Sequence, residues 1–299
     1  CKRAGLMSLW KGKSKGTTTG YRIFIWILKH FGVLPGYFVL RFVVLYFFLF
    51  SYTSSKVLYS FYRHRLGFGR IASILKIYRN YYMMGQSIID KIVVMSGIKN
   101  RFSFHLDGEE NLHHIASLKK GGILLSAHIG NWDIAAHLMK RLNSRINILI
   151  FDGEDVQIKQ YLAGVTGTLP VNIIVIKEDL SHIYELSEAF SRNELVCMHA
   201  DRYLEGNKTM PVNFLGKEAK FPMGPFILAS TFKVPVSYVF ALKESNLHYH
   251  FFASKIIDYS HLEKGTLMQQ MLLDYTREME MKVKQYPDQW FNHYDFWHQ

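Results

Sequence analysis

The chain has 299 residues, 49% apolar and 20% charged, enough to build a sizeable core and too apolar to be disordered. Two cysteines, Cys1 and Cys197, exclude a disulfide framework and a Cys-rich zinc site. The net charge of +12 is unevenly spread: residues 1–89 hold 14 Lys and Arg and no acid, whereas residues 90–299 hold 22 basic against 24 acidic residues, a net of −2. That asymmetry excludes a uniformly basic nucleic-acid-binding domain and favours attachment to an anionic membrane surface.

The basic flank comes first. Lys2, Arg3, Lys11, Lys13, Lys15 and Arg22 precede an aromatic, apolar run over residues 23–50, broken by Lys29, Pro35-Gly36 and Arg41. Pro35-Gly36 predicts a split into two helices. A helix over about 36–52 nearly reaches the roughly 20 residues that span a bilayer core, with Arg41 snorkelling to one interface. Rings such as Trp26, Tyr37, Phe42 and Tyr46 suit headgroup depth, and positive flanks stay cytoplasmic. No small-residue cleavage site follows, so a cleavable signal peptide is not expected. Cys1 suggests an upstream start or a fragment, with Met7 the natural beginning. The competing reading is a buried aromatic helix pair in a soluble core. Residues 1–60 are thus expected to anchor the chain and residues 61–299 to form the working domain.

From about residue 54 to 95 the pattern is helical and amphipathic. Beyond it, short apolar runs at 122–127, 146–151, 172–176, 195–199, 234–242 and 249–256 read as buried strands. Helices are expected between them at about 132–142, 181–192, 223–232 and 266–284. Alternating strand and helix predicts an α/β fold with a mainly parallel central sheet flanked by helices.

No G-x-S-x-G elbow, Walker A loop or H-E-x-x-H helix is present. The G-x-G-x-x-A string at Gly67-Phe68-Gly69 follows Arg63-His64-Arg65 instead of a strand and reads as chance. His113-His114 and His248-Tyr249-His250 lack evident ligand partners and read as solvated or strand-surface residues, so no metal is expected. Asn207-Lys208-Thr209 is a formal glycosylation sequon, without meaning on a cytoplasmic face.

One constellation carries chemistry. An apolar strand ends at His128; Gly130 turns the chain, Asn131 can cap, and a helix opens at Trp132-Asp133. A carboxylate at Asp133 is favoured by the helix dipole and can fold back onto one imidazole nitrogen, leaving the other as a base.

His128-Ile129-Gly130-Asn131-Trp132-Asp133 resembles the His-x4-Asp/Glu signature of the glycerolipid (lysophospholipid) acyltransferase superfamily, and most of all the H-F-G-N-W-E form of the lauroyl/myristoyl acyltransferases of lipid A biosynthesis. In the same order, residues 195–202 resemble that family's strand ending in Asp-Gln, with Asp201-Arg202 here. Residues 211–216, including Phe214 and Gly216, resemble its Val-Pro-Phe-Phe-Gly block. Residues 224–229 with 234–236, and Pro287-Asp288-Gln289-Trp290, resemble the segments that close the site and end the domain. The departures are Asp133 for Glu, Arg202 for Gln, and an acidic stretch at 151–155 where the family carries arginine, with Lys159 a stand-in.

The resemblance implies a membrane-bound O-acyltransferase on the cytoplasmic face of the inner membrane, contributing to lipid A and lipopolysaccharide synthesis. His128 and Asp133 would be catalytic. Gly130, Asn131, Trp132, Asp201, Arg202, Phe214 and Gly216 would line the substrate site. The donor would be acyl carrier protein or coenzyme A thioester, a co-substrate with no resident cofactor. Its partners would be membrane lipids, acyl carrier protein and a lipid acceptor. Oxyanion donors are sought among the backbone N–H groups near Gly130 and Asn131, or in Arg202. Helices over 36–62 and 74–95 are candidates for the acyl slot. The alternatives are another acceptor (a lysophospholipid, an aminolipid or a polyene lipid), or a non-catalytic membrane adaptor keeping the fold.

Overall fold

A computed structural model describes residues 18–138, 142, 144–151, 172–177, 179–203 and 206–297. The basic flank before residue 18, the acidic stretch at 152–155 and Lys159 lie outside the described residues.

The N-terminal helices are α1 (Thr18–Phe31), α2 (Val33–Phe50), α3 (Tyr52–Ser60) and α4 (Arg70–Met95). The break expected at Pro35-Gly36 falls at Gly32 instead, whose φ of 83° no other residue adopts easily. Pro35 sits in the first turn of α2, where its missing N–H leaves no bond unmade. α2 is 18 residues long and apolar enough to cross a membrane by length and composition. One face, with Tyr37, Leu40 and Val44, is buried against α4; the other leaves Phe38, Phe42, Tyr46, Leu49 and Phe50 exposed. That two-sidedness departs from a helix pair buried in a soluble core. Gly85 of α4 permits the close approach: a Cβ there would lie 2.6 Å from Leu40. The helical run expected over 54–95 divides at a short π-helical segment, Phe61–Arg65, and at Gly67, φ 72°.

The body follows in the order β1 (Ser103–Asp107), α5 (Glu109–Ser117), β2 (Gly122–Ser126), α6 (Trp132–Leu138), β3 (Ile146–Phe151), β4 (Asn172–Ile176), α7 (His182–Ser191), β5 (Leu195–His199), β6 (Thr209–Phe214), β7 (Lys217–Pro222), α8 (Gly224–Phe232), β8 (Val236–Ser245), β9 (His248–Ala253) and α9 (Lys264–Gln285). Among the described residues, seven strands form one sheet in the order β1-β9-β8-β2-β5-β3-β4. All neighbours are parallel except β8 and β9. The fold is therefore the expected α/β architecture with a mainly parallel sheet. β2 is buried along its whole length, as an apolar central strand must be.

β1 was not anticipated, because its alternating, half-exposed SFHLD lacks the apolar run of a central strand. The β6–β7 hairpin was also missed; it turns through Leu215 and Gly216, both at positive φ, the signature of a two-residue hairpin loop. The main hydrophobic cluster runs unbroken from Ile25 of α1 to Phe296, so α1–α4 share a core with the sheet. Lys76 and Arg79 of α4 both reach Asp288 at 3.0 Å, and Asn80 binds the carbonyls of Asp288 and Trp290.

Candidate active site

β2 delivers His128 to the C-terminal edge of the sheet, where open α/β sheets bind their ligands. Gly130, φ 71°, lets the chain lie against β8: a Cβ there would fall 1.9 Å from the Ala241 carbonyl oxygen. The loop is fixed by three backbone bonds. Gly130 N–H donates to Gln289 O (2.9 Å), Asn131 N–H to Ala241 O (2.7 Å), and Phe291 N–H to His128 O (3.0 Å).

The carboxylate on Nδ1 of His128 belongs to Asp201, not to Asp133. Asp201 lies just beyond β5, the strand beside β2, so it arrives level with His128. Its Oδ1 stands 2.7 Å from Nδ1, and its Oδ2 accepts the His128 backbone N–H at 3.0 Å. Asp133 instead forms an ion pair with Lys91 of α4 at 2.9 Å. The first helical turn carries Asp133 toward α4, and the lysine there takes it; its charge still reaches the imidazole. Asp201 is 1% exposed. Burial alone would raise its carboxyl, but His128 and Arg202 overcome this and hold it well below the usual carboxylate range. Burial, then the Arg202 guanidinium, lower the His128 imidazole against the pull of Asp201. The imidazole is thus neutral at pH 7, with Nδ1–H bound to Asp201 and Nε2 as its basic nitrogen.

His199, on the last residue of β5, was missed by the sequence reading. Its ring centroid lies 4.3 Å from that of His128 and 5.2 Å from that of Trp132. Burial, then the neighbouring His128, push it down to about 3, so it stays neutral. Its Nδ1 is buried and has no hydrogen-bond partner among the described residues. The only signal in the sequence was a histidine two residues before Asp201. His128, His199 and Asp201 also offer ligand atoms within 4.8 Å of one another, a geometry that can hold a cation.

Other expected site residues take different places. Gly130 and Asn131 spend their backbone N–H groups on the loop and are not available to an oxyanion. Asn131 is buried, donating from Nδ2 to Ser87 O and Tyr249 Oη. Phe214 is wholly buried in an aromatic cluster with Phe221, Trp290, Phe296 and Trp297, because the block around it forms a hairpin strand against the core. Gly216 serves the hairpin turn. Arg202 donates from Nη2 to Phe291 O at 2.6 Å and lies over the Tyr294 ring. Trp132 lines an apolar cleft beside His199, together with Ala135, Ile148, Cys197 and Val239. The cleft is narrow, with a cavity volume of about 60 Å³, and is partly open to solvent. It lies over the sheet, not between the N-terminal helices where a slot was sought. Burial raises the Cys197 thiol to about 12, so it is an inert wall of the cleft.

The family model for bacterial lipid A biosynthesis acyltransferases matches residues 74–297. Among solved structures, the chain is similar to the 1-acyl-sn-glycerophosphate (LPA) acyltransferase PlsC from Thermotoga maritima. The identity is 13% over 83% of this chain and 98% of that one, with a TM-score of 0.40. No curated protein matches the chain.

Proposed function

Because the chain belongs to the bacterial lipid A biosynthesis acyltransferase family, we propose that it transfers a fatty acyl chain from an acyl carrier protein or coenzyme A thioester to a hydroxyl of a lipid A precursor or related glycolipid, at the cytoplasmic face of the inner membrane. The observation that carries this reading is the His128–Asp201 pair, in ring contact with His199, which lines an apolar cleft.

A hydroxyl is too weak an acid to attack a thioester unaided at neutral pH. Nε2 of His128 takes the hydroxyl proton as the oxygen adds to the thioester carbon, and Asp201 stabilises the imidazolium so formed. Asp133 is the second carboxylate whose field favours that charge. The tetrahedral oxyanion takes its hydrogen bond from His199, since the Gly130 and Asn131 N–H groups are already bound, and the field of the Arg202 guanidinium adds to it. A neutral imidazole serves here, being a donor that does not repel the charge developing on its neighbour. Collapse expels the thiolate, which is protonated from the His128 imidazolium. No resident cofactor or metal is needed.

The cleft is the acyl slot, in which each buried methylene contributes about 0.8 kcal/mol. The exposed rings of α2 and the acid-free basic N-terminus seat the protein on an anionic bilayer, where donor and lipid acceptor meet. Purified protein in detergent, given acyl carrier protein and coenzyme A thioesters with a panel of lipid A precursors, lysophospholipids and aminolipids, is read by mass spectrometry. An acylated lipid A precursor is expected. Acylation of lysophospholipid or aminolipid alone moves the assignment to that acceptor, and the absence of thioester turnover with every one of them points to the adaptor reading.

A further inference from the structure

The far edge of the sheet carries a second group of histidines and carboxylates. His105 and Asp107 lie two residues apart on edge strand β1, so both side chains face one side. His250 on β9 is the register partner of His105. The three offer ligand atoms within 4.8 Å of one another. His105 Nε2 stands 3.0 Å from Asp107 Oδ1, and His250 Nε2 2.9 Å from Asp107 Oδ2.

The contact between His250 and Asp107 is unusual. Although the atoms are 2.9 Å apart, Nε2 makes no well-formed hydrogen bond among the described residues. The other ring nitrogen, Nδ1, is 2.9 Å from Glu244 Oε1. Tyr286 Oη donates to the same Glu244 oxygen at 2.8 Å, which fixes the carboxylate. A proton on Nδ1 shared with Glu244 leaves a lone pair on Nε2, 2.9 Å from an Asp107 oxygen. Two lone-pair-bearing atoms this close repel unless a proton or a metal cation lies between them. Metal-bound histidines characteristically donate their second ring N–H to a carboxylate in this way.

We propose that His105, Asp107 and His250 bind one divalent transition-metal ion of the zinc class, with Glu244 orienting His250. Two neutral imidazoles and a carboxylate form a nitrogen and oxygen set suited to Zn²⁺, leaving a fourth position for water. Asp107 and Glu244 together balance the ion's charge. The nearby Lys282 ammonium is turned onto the Phe252 ring, 3.2 Å from its centroid. The ion clips edge strand β1 to its neighbour β9. This site shares no ligand with the His128 group, although Asp107 also borders the cleft, and it does not depend on the proposed acyl transfer.

The rival arrangement is a His250 imidazolium shared between Asp107 and Glu244, with no metal affinity. Full-length protein in detergent is stripped with a chelator and titrated with ZnCl₂ by calorimetry at pH 7.5, with a parallel thermal melt. One equivalent is expected at a dissociation constant in the micromolar range or tighter, with a melting temperature several degrees higher at saturation. His250→Ala should weaken binding at least 100-fold and Glu244→Gln about 10–100-fold. His128→Ala should leave zinc affinity unchanged, which separates this site from the other cation-capable group. If His250→Ala does not fold, His105→Gln, at an exposed position, takes its place. Zinc binding no tighter than millimolar, or unchanged affinity in the folded His250→Ala or His105→Gln protein, overturns the proposal.

Discussion

Replacing Asp201 with Asn should cripple turnover, and the reason lies in two bonds. Asp201 accepts twice from the same residue: from Nδ1 of His128 at 2.7 Å and from its backbone N–H at 3.0 Å. Asn has the shape but only one acceptor; its other terminus is an NH₂ donor. If its oxygen faces the backbone N–H, the NH₂ faces Nδ1, and the ring must carry its proton on Nε2, where the base is needed. If the oxygen faces Nδ1 instead, a buried donor meets a donor at the backbone, at a cost of about 1–3 kcal/mol. Either way the negative charge that stabilises the imidazolium is gone. The expected loss in kcat is about 10²–10⁴-fold, with the donor KM changed little. In whatever Asp201→Asn protein retains activity, the acid limb of the kcat/KM profile should move to lower pH, since Asp201 holds the imidazole up. Asp133→Asn, which breaks a partly exposed pair with Lys91, should cost about 1 kcal/mol of stability or less and far less activity. Steady-state kinetics on both variants across pH 5–9, with circular dichroism to verify folding, decides the matter. A folded Asp201→Asn protein of near-normal rate, beside an Asp133→Asn protein reduced about 10³-fold, refutes this assignment and restores Asp133 as the orienting residue.

Stability should fall as pH drops from 7 toward 4. The buried His199 is depressed to about 3, so below the ordinary histidine value near 6.5 the unfolded chain binds a proton that the folded one does not. That costs about 1.4 kcal/mol per pH unit, and His199→Gln should flatten the slope in denaturant titrations. Asp201, whose carboxyl is depressed, adds stability above about pH 4 that is lost as pH falls toward its folded value. Lys243 and Asp90 form a buried pair joined by the Tyr37 and Tyr249 hydroxyls. Lys243→Met should therefore destabilise by about 3–5 kcal/mol, and adding Asp90→Asn should recover part of the loss. Gly130→Ala should abolish activity and lower the melting temperature, because the new Cβ meets the Ala241 carbonyl and the backbone is left-handed.

The strands β2, β3, β4, β5, β8 and β9 were legible because each contains an apolar run, and the strand–His–Gly-Asn–helix order placed His128 on its loop. Edge strand β1 and the β6–β7 hairpin were not, since partly exposed strands alternate and lack that run. The partner of His128 was misjudged because local sequence offers only Asp133. Asp201 is 73 residues away and becomes a neighbour only once β5 pairs with β2 in register. The same holds for His105, Asp107 and His250: two strands far apart in sequence had to pair before the histidines had partners. Pro35 was read as a helix breaker, although a proline in a first helical turn is compatible with the helix.

The central claim is that His128 is the base for acyl transfer to a lipid hydroxyl. Its most direct test is the initial rate of acylated-lipid formation by wild-type and His128→Ala protein at equal concentration, followed by mass spectrometry with the best thioester and acceptor. The account predicts a loss of about 10²–10⁴-fold in a variant whose melting temperature stays near that of the wild type. A folded His128→Ala protein that forms product at the wild-type rate contradicts it.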